Sequence, residues 1–182
     1  MFEDIKTCSK CALCKHQPPL IDSTGKCQVF WVGLSAKLLS DKNERPLSPT
    51  TNSGAILTQI EEDCGKFKAY RTNLVKCVPL NEQGKLRYPN NAEIHHCISH
   101  LDLELRKLSP QIIFLLGSQV TEAISKKYGI SFQKWSGFNY TYRKYEDYYF
   151  IPVHHPSYIY VYKRKQISEY MASIENIISQ LL

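Results

Sequence analysis

QIIFLLGSQVTEAISKKYG, residues 111–129, carries the pattern that decides the fold. Five consecutive apolar residues, Ile112 to Leu116, stop at Gly117, and a stretch with helical spacing runs from Ser118 to a second stop at Gly129. A short, unbroken apolar run between turn residues is the signature of a strand buried on both faces. A strand that passes at once into a helix is the repeating unit of a parallel sheet.

The same unit recurs on either side. Upstream, QVFWVG (Gln28 to Gly33) is a short apolar run ending in glycine, and GAILTQIEEDCG (Gly54 to Gly65) has helical spacing and a glycine stop. AYRTNLVKC (Ala69 to Cys77) reads as a second strand. NNAEIHHCISHLDLELRKL (Asn90 to Leu108) is an amphipathic helix with Ile94, Cys97, Ile98, Leu101, Leu105 and Leu108 on one face, capped by Asn90 or Asn91 and ended before Pro110. Downstream, FNYTYRKYEDYYFIPV (Phe138 to Val153) reads as a hairpin whose second arm enters the sheet, and ISEYMASIENIISQLL closes the chain as a helix. The expectation is an α/β protein, a three-layer α/β/α sandwich around a four-stranded parallel sheet. No repeat, low-complexity tract or linker divides it, and the loop Arg45 to Ser53 lies inside one domain spanning residues 1–182.

Composition sets limits. A chain of 182 residues with 43% hydrophobic content suits a single domain with a sizeable core. No apolar run has membrane-spanning length, and MFEDIKTCSK lacks the apolar core of a signal peptide, so the cytoplasm is the expected compartment and a membrane is not an expected partner. The net charge of +6 permits a nucleic-acid partner without demanding one. Seven cysteines in a reducing compartment favour metal or cluster ligation over disulfides.

The cysteines fall into a tight C-x-x-C pair, Cys8 and Cys11, and a wide pair, Cys77 and Cys97, which brackets a polar loop. Four such thiols can close a site for zinc or for an iron–sulfur cluster, and spacing alone does not separate the two. Cys14 extends the run, while Cys27 and Cys64 have no partner motif and read as core. In parallel sheets, ligands bind beyond the carboxyl ends of the strands. Three segments mark that edge: VGLSAK, TNLVKC and HHPSYI. Asn73 offers a donor and an acceptor together, which suits a pyrimidine edge. His155 sits in H-P-S, with His154 alternating to the opposite side. His95, His96 and His100 read as the polar side of their helix. Lys163, Arg164 and Lys165 follow the aromatic stretch SYIYVY, a combination that suits nucleic acid.

Taken in order, C-x-x-C, V-G-L-S-A-K, T-N-L-V-K-C-x-P, E-I-x-x-C, a strand ending in L-G, and H-P-S resemble the iron–sulfur uracil-DNA glycosylases of families 4 and 5, over nearly the whole chain from Cys8 to Tyr158. The resemblance implies a [4Fe–4S] cluster on Cys8, Cys11, Cys77 and Cys97, with zinc as the alternative. It also implies a damaged base, uracil first, flipped into a pocket at the strand ends for excision in base-excision repair. By the same resemblance, Asn73 reads the base and His155 and Ser157 hold a base carbonyl and the DNA. Gly33 and Leu34 open the first motif, and Leu47 stands where an aromatic ring usually stacks. Leu34 occupies the place of the family 4 acid, so water is left to backbone carbonyls or to Ser35, Thr51 or Asn52. Tyr158 and Ile159 fall in a loop expected to wedge into the duplex while Lys163, Arg164 and Lys165 hold phosphates. The expected state is a monomer on DNA. Segment 1–26, poor in apolar residues, is expected to depend on the cluster for its anchorage. The departures at Leu34 and Leu47 leave two other readings: an inert glycosylase-like DNA-binding protein working beside a replication or repair protein, and a glycosylase for a base other than uracil.

Overall fold

In the computed structural model, residues 2–39, 41, 44–65 and 67–182 are described. Strict alternation along the central strand β1 (Val29–Ser35) generates the layers. Phe30 and Val32 point to one face, where they meet Tyr70 and Leu74 of β2 (Ala69–Val75) and Ile113 and Leu115 of β3 (Ile112–Leu116). That face is covered by two helices running Asn91–Leu108 and Ser118–Tyr128. Val29 and Trp31 point the other way, onto the helix Asn52–Cys64 and the closing helix Ile167–Leu181. In chain order the helices are α1 (Glu3–Lys6), α2 (Asn52–Cys64), α3 (Asn91–Leu108), α4 (Ser118–Tyr128), α5 (Pro156–Tyr162) and α6 (Ile167–Leu181). Among the described residues no helix is long and apolar enough to cross a membrane.

The sheet order is β2-β1-β3-β5-β4, with β4 at Arg143–Tyr145 and β5 at Tyr148–Val153. The first four strands are parallel, as expected. The fifth, β4, pairs antiparallel with β5, because both arms of the hairpin enter the sheet and not only the second. The chain leaves β1 for β2 on one side and later takes up β3 on the other. This reversal opens a crevice above the carboxyl ends of the strands.

One expectation is corrected here, and one is filled in. The N-terminal segment has buried apolar anchors besides its cysteines. Phe2 and Ile5 are buried in the core with Tyr70 and Leu105, and Leu13 packs on Val75, Cys77 and Cys97. The Leu20 N–H donates to the Lys76 carbonyl at 2.8 Å, and the Arg71 N–H donates to Asp22 Oδ2 at 3.0 Å. The stretch after H-P-S is a helix, α5, and not a loop. His155 caps its start and Pro156 occupies the first turn, where its ring and missing N–H cost nothing. Ile159 then turns inward and is fully buried against the α2–α6 layer, so it cannot act as a wedge.

Polar side chains complete the frame. Asn90 caps α3 in a reciprocal capping box with Glu93, worth about 1 kcal/mol. Below it, Lys76 lies fully buried with its ammonium 2.6 Å from Glu104 of α3, 2.6 Å from Thr72 Oγ1 and 2.7 Å from the Asn73 carbonyl. Tyr70 Oη and Thr72 Oγ1 donate to the same carboxylate at 3.0 Å. Removing one partner of a buried pair strands the other charge at a cost of about 3–5 kcal/mol. Glu104→Ala is therefore expected to lower the unfolding free energy by that amount, or the melting temperature by roughly 10 °C, in chemical or thermal denaturation. A change within the error of the wild-type curve would contradict the assignment.

Candidate active site

A groove of about 1280 Å³ opens at the carboxyl ends of β1, β2, β3 and β5. This exceeds a common small-ligand pocket and leaves room for a base, its sugar and neighbouring backbone. Its floor is set by a close approach. Asn73 of β2 sits in register with Gly33 of β1 and is almost wholly buried. A Cβ added at Gly33 would lie 2.3 Å from Asn73 Oδ1, so only glycine lets the carboxamide reach this position. No described residue hydrogen-bonds that carboxamide, which faces the groove with its donor and acceptor open.

His155 stands at the end of β5 as the cap of α5. Its Nδ1 accepts the Ser157 N–H at 3.1 Å and lies 2.8 Å from Ser157 Oγ. A backbone N–H can only donate, so Nδ1 holds a lone pair and the neutral ring carries its proton on Nε2. Burial pushes the His155 pKa down to about 4, so the ring is neutral at pH 7. The site thus presents a fixed, uncharged N–H donor. Ser157 orients this ring, and its hydroxyl is committed to Nδ1.

His154 also lines the groove, contrary to the alternation expected from the strand. β5 ends at Val153, and beyond a strand's last residue the period of two no longer applies. The His154 ring lies 4.4 Å from that of Trp135 and 5.5 Å from that of Tyr158, and its Nδ1 is 2.8 Å from Tyr140 Oη. Tyr170 Oη donates to the His154 carbonyl at 2.9 Å and locks the turn from behind. Trp135, far from any motif, carried no signal in the sequence.

Leu47 lines the opposite wall with a left-handed backbone, φ 50°. A leucine is rare there and must be held. The holder is Arg71, 1% exposed on β2, whose Nη1 donates to the Leu47 carbonyl at 2.8 Å. The rest of its guanidinium binds Glu61 at 2.9 and 3.1 Å and Thr58 at 2.8 Å. Gly54 completes the clamp, since a Cβ there would fall 1.9 Å from the Ser48 carbonyl. Arg71 and Glu61 were not singled out by the sequence.

Leu34 and Ser35 line the groove as expected. Asn52 does not, because as the first residue of α2 it points to solvent. Ser53 beside it lines the groove instead. Thr51 reaches the groove, but its hydroxyl caps α2 and donates to the Ser48 carbonyl at 2.8 Å. Lys37 is paired with Glu44 at 2.6 Å. Among the described residues, no carboxylate lines the groove. Tyr158 lies at its rim, while Lys163, Arg164 and Lys165 follow in and beside a short 3-10 turn.

A second cleft lies behind β2. Cys8, Cys11, Cys14, Cys77 and Cys97 all line it, none in a disulfide. The Lys76 N–H donates to Cys97 Sγ at 3.3 Å. His100, expected on the polar side of α3, is instead buried with its Nε2 3.1 Å from Cys8 Sγ. Burial and crowding by the neighbouring thiols push Cys77 up to about 12. A set of five free, unpaired thiols around one cleft suits a thiolate-bound group. Among the described residues, no three His, Cys, Asp or Glu side chains stand in the geometry of a metal-ion site. Cys27 is buried in the core as expected.

A sheet with this order and a groove at its switch point, floored by an asparagine and flanked by a capping histidine, can be compared with known proteins. The model of the uracil DNA glycosylase superfamily matches residues 23–178. The chain is 31% identical over 164 residues to the type-4 uracil-DNA glycosylase of Sulfurisphaera tokodaii, covering 85% of this chain and 72% of that one. The crystal structure of wild-type Pedobacter heparinus SMUG2 shares the fold, with a TM-score of 0.56 at 13% identity over 86% of this chain and 76% of that one. The class is therefore that of the DNA glycosylases. This chain belongs to the uracil DNA glycosylase superfamily.

The His155 geometry has a signed consequence for pH. Its folded pKa, about 4, lies below the ordinary histidine value, so the unfolded chain takes up the proton first as pH falls. The stability at stake is fully present above about pH 6.5 and is lost as pH falls toward 4. His155→Asn keeps a helix cap but cannot titrate. The variant is expected to show a flatter fall in unfolding free energy between pH 6.5 and 4 than the wild type. Parallel curves would mean that His155 is not held neutral.

Proposed function

We propose that this protein excises uracil from DNA, flipping the deoxyuridine into the groove and hydrolysing its N-glycosidic bond during base-excision repair. One observation carries the reading: an open carboxamide, Asn73, and a neutral Nε2–H donor, His155, line one groove in which no described residue is a carboxylate. The Asn73 Oδ1 accepts the uracil N3–H and its Nδ2 donates to O4, while His155 Nε2–H donates to O2. As the C1′–N1 bond breaks, its electrons pass into the ring, and both donors meet charge growing on the base oxygens. Water adds to C1′ and gives its proton to the solvent, while the released uracil anion takes up a proton from the solvent in turn. With Leu34 where an acid would stand, Ser35, Ser53 and backbone carbonyls position that water, and leaving-group stabilisation supplies most of the acceleration. Leu47 packs on the base face with less contact than a ring would give.

A preorganised donor of this kind is worth about a hundredfold in rate or more. Asn73→Ala and His155→Ala should each lower single-turnover excision by about that factor, with DNA affinity within a few-fold of wild type. An activity built on the leaving group should also remove 5-fluorouracil faster than uracil. Oligonucleotides bearing different modified bases, assayed for abasic sites, check both statements. Product from another base alone would reassign the substrate, and product from none would leave an inert DNA-binding protein.

Cys8, Cys11, Cys77 and Cys97 would hold the [4Fe–4S] cluster of this reading, and the thiol chemistry of their cleft fits it. When bound, such a group supplies a covalent tie between the N-terminal segment and the α3 side of the sheet. Anaerobically purified protein should be brown and contain iron and sulfide, and Cys11→Ser should lose iron and thermal stability. The first turn should stay protease-resistant in that variant, because Phe2 and Ile5 remain buried. Colourless protein with stoichiometric zinc and no iron would overturn the cluster.

A further inference from the structure

In the reading above, Asn73 and His155 together take O2, N3–H and O4, the whole hydrogen-bonding edge of uracil. What the target nucleotide still offers a protein is its phosphodiester, the usual handle for register and orientation on DNA. The sequence resemblance sets that contact on Ser157, but the folded chain uses its donors internally. The Ser157 N–H and hydroxyl both go to His155 Nδ1, at 3.1 and 2.8 Å. A phosphate oxygen only accepts, so Ser157 has no donor left for it.

His154 is placed differently. Its ring is packed among aromatic neighbours: 4.4 Å from Trp135, 5.5 Å from Tyr158 and nearly parallel to it at 13°, and edge-on to Phe138 and Tyr140 at 5.8 Å. Close packing of this kind leaves the ring few ways to turn. Its Nδ1 lies 2.8 Å from Tyr140 Oη. Burial holds the Tyr140 hydroxyl protonated well above its ordinary range, against the His154 backbone N–H, which bonds to the same oxygen. An oxygen that accepts this N–H turns its own proton to Nδ1, so the imidazole proton sits on Nε2. Burial first, and then the Lys163 charge, push the His154 pKa down, so the ring is neutral at pH 7. The ring lines the groove, and its Nε2–H has no hydrogen-bond partner among the described residues. Beside His155 there is thus a second fixed, uncharged donor, with a lysine near it and no carboxylate among the described residues of the lining. We infer that His154 Nε2–H holds a phosphodiester oxygen flanking the flipped nucleotide, the contact that Ser157 leaves open. This rests on the reading of the groove as a DNA site and adds the residue that fixes the target's backbone.

The test reads binding and not excision. The probe is a fluorescent duplex whose target is 2′-fluoro-2′-deoxyuridine, since the fluorine disfavours positive charge at C1′ and keeps the glycosidic bond intact. It is made with normal phosphodiesters, or with a neutral methylphosphonate on the 5′ or the 3′ side of the target, and affinity for the full-length protein is read by anisotropy. The wild type should lose roughly tenfold in affinity at one of these positions, as expected for a hydrogen bond to a charged group. His154→Phe keeps a ring against Trp135 and Tyr158 but lacks the N–H. It should bind the normal duplex more weakly by about the same factor and be indifferent to the methylphosphonate at that position. His154→Gln brings a carboxamide N–H close to the place of Nε2 and should recover most of the loss. Wild-type affinity in His154→Phe, or a methylphosphonate loss in that variant equal to the wild type's, would overturn the inference. So would a His154→Gln no tighter than His154→Phe, because the ring and not its N–H would then matter. Abasic product from deoxyuridine, measured separately with the wild type, keeps the two claims apart. A phosphate-dependent loss without product sinks the glycosylase reading alone, and product without that loss sinks this one alone.

Discussion

Lys76 is the point at which the parts of this protein meet. Its ammonium, out of water, is shared among Glu104, Thr72 and the carbonyl of Asn73. Its own N–H reaches Cys97, and its carbonyl takes the N–H of Leu20. One residue therefore touches the asparagine on the groove floor, the thiol cleft, helix α3 and the N-terminal segment. A buried charge is a poor source of stability when set against apolar packing, but it tolerates very few arrangements of its neighbours. That intolerance is its value here, because it fixes the backbone that aims Asn73.

Arg71 does the equivalent work on the other face of β2. With 1% exposure and its donors spread over Glu61, Thr58, Gly54 and Leu47, it fastens the turn that forms one wall of the groove. The asparagine lies between these two cations along the chain, Arg71 on β2 and Lys76 just past its end. The wall and the floor are thus registered to one another through a single strand, with the histidine wall held separately by Tyr170 and the cap of α5. The thiol cleft lies on the far side of the same strand end, so whatever occupies it bears on the groove through β2.

Much of this was legible in the chain. The strands at Val29 and Ile112 declared themselves because they are buried on both faces and stop at or near glycine, and α3 because its apolar stripe has one period throughout. α5 did not. Its Tyr-Ile-Tyr-Val-Tyr run alternates ring and β-branched residue, a pattern that argues for extended backbone, and only the cap at His155 and the burial of Ile159 make it helical. The anchors Phe2 and Ile5 were hidden by isolation, since single apolar residues in a polar stretch have no period. His100 and Glu104 were hidden by type. Both are polar residues on the buried side of α3, and nothing local announces the partner, a thiol or an ammonium, that makes burial tolerable.

The left-handed backbone at Leu47 has an evolutionary side. On conformational grounds alone the position would drift to glycine or asparagine, which adopt that shape freely. Either exchange would strip the groove of its apolar wall. Phenylalanine or tyrosine, by contrast, would meet much the same backbone cost that leucine already bears, with Arg71 and Gly54 still holding the turn. The route from this groove to one with an aromatic wall is then a change of side chain on a clamp already in place. The wall of the groove can change its shape there while the fold beneath it stays still.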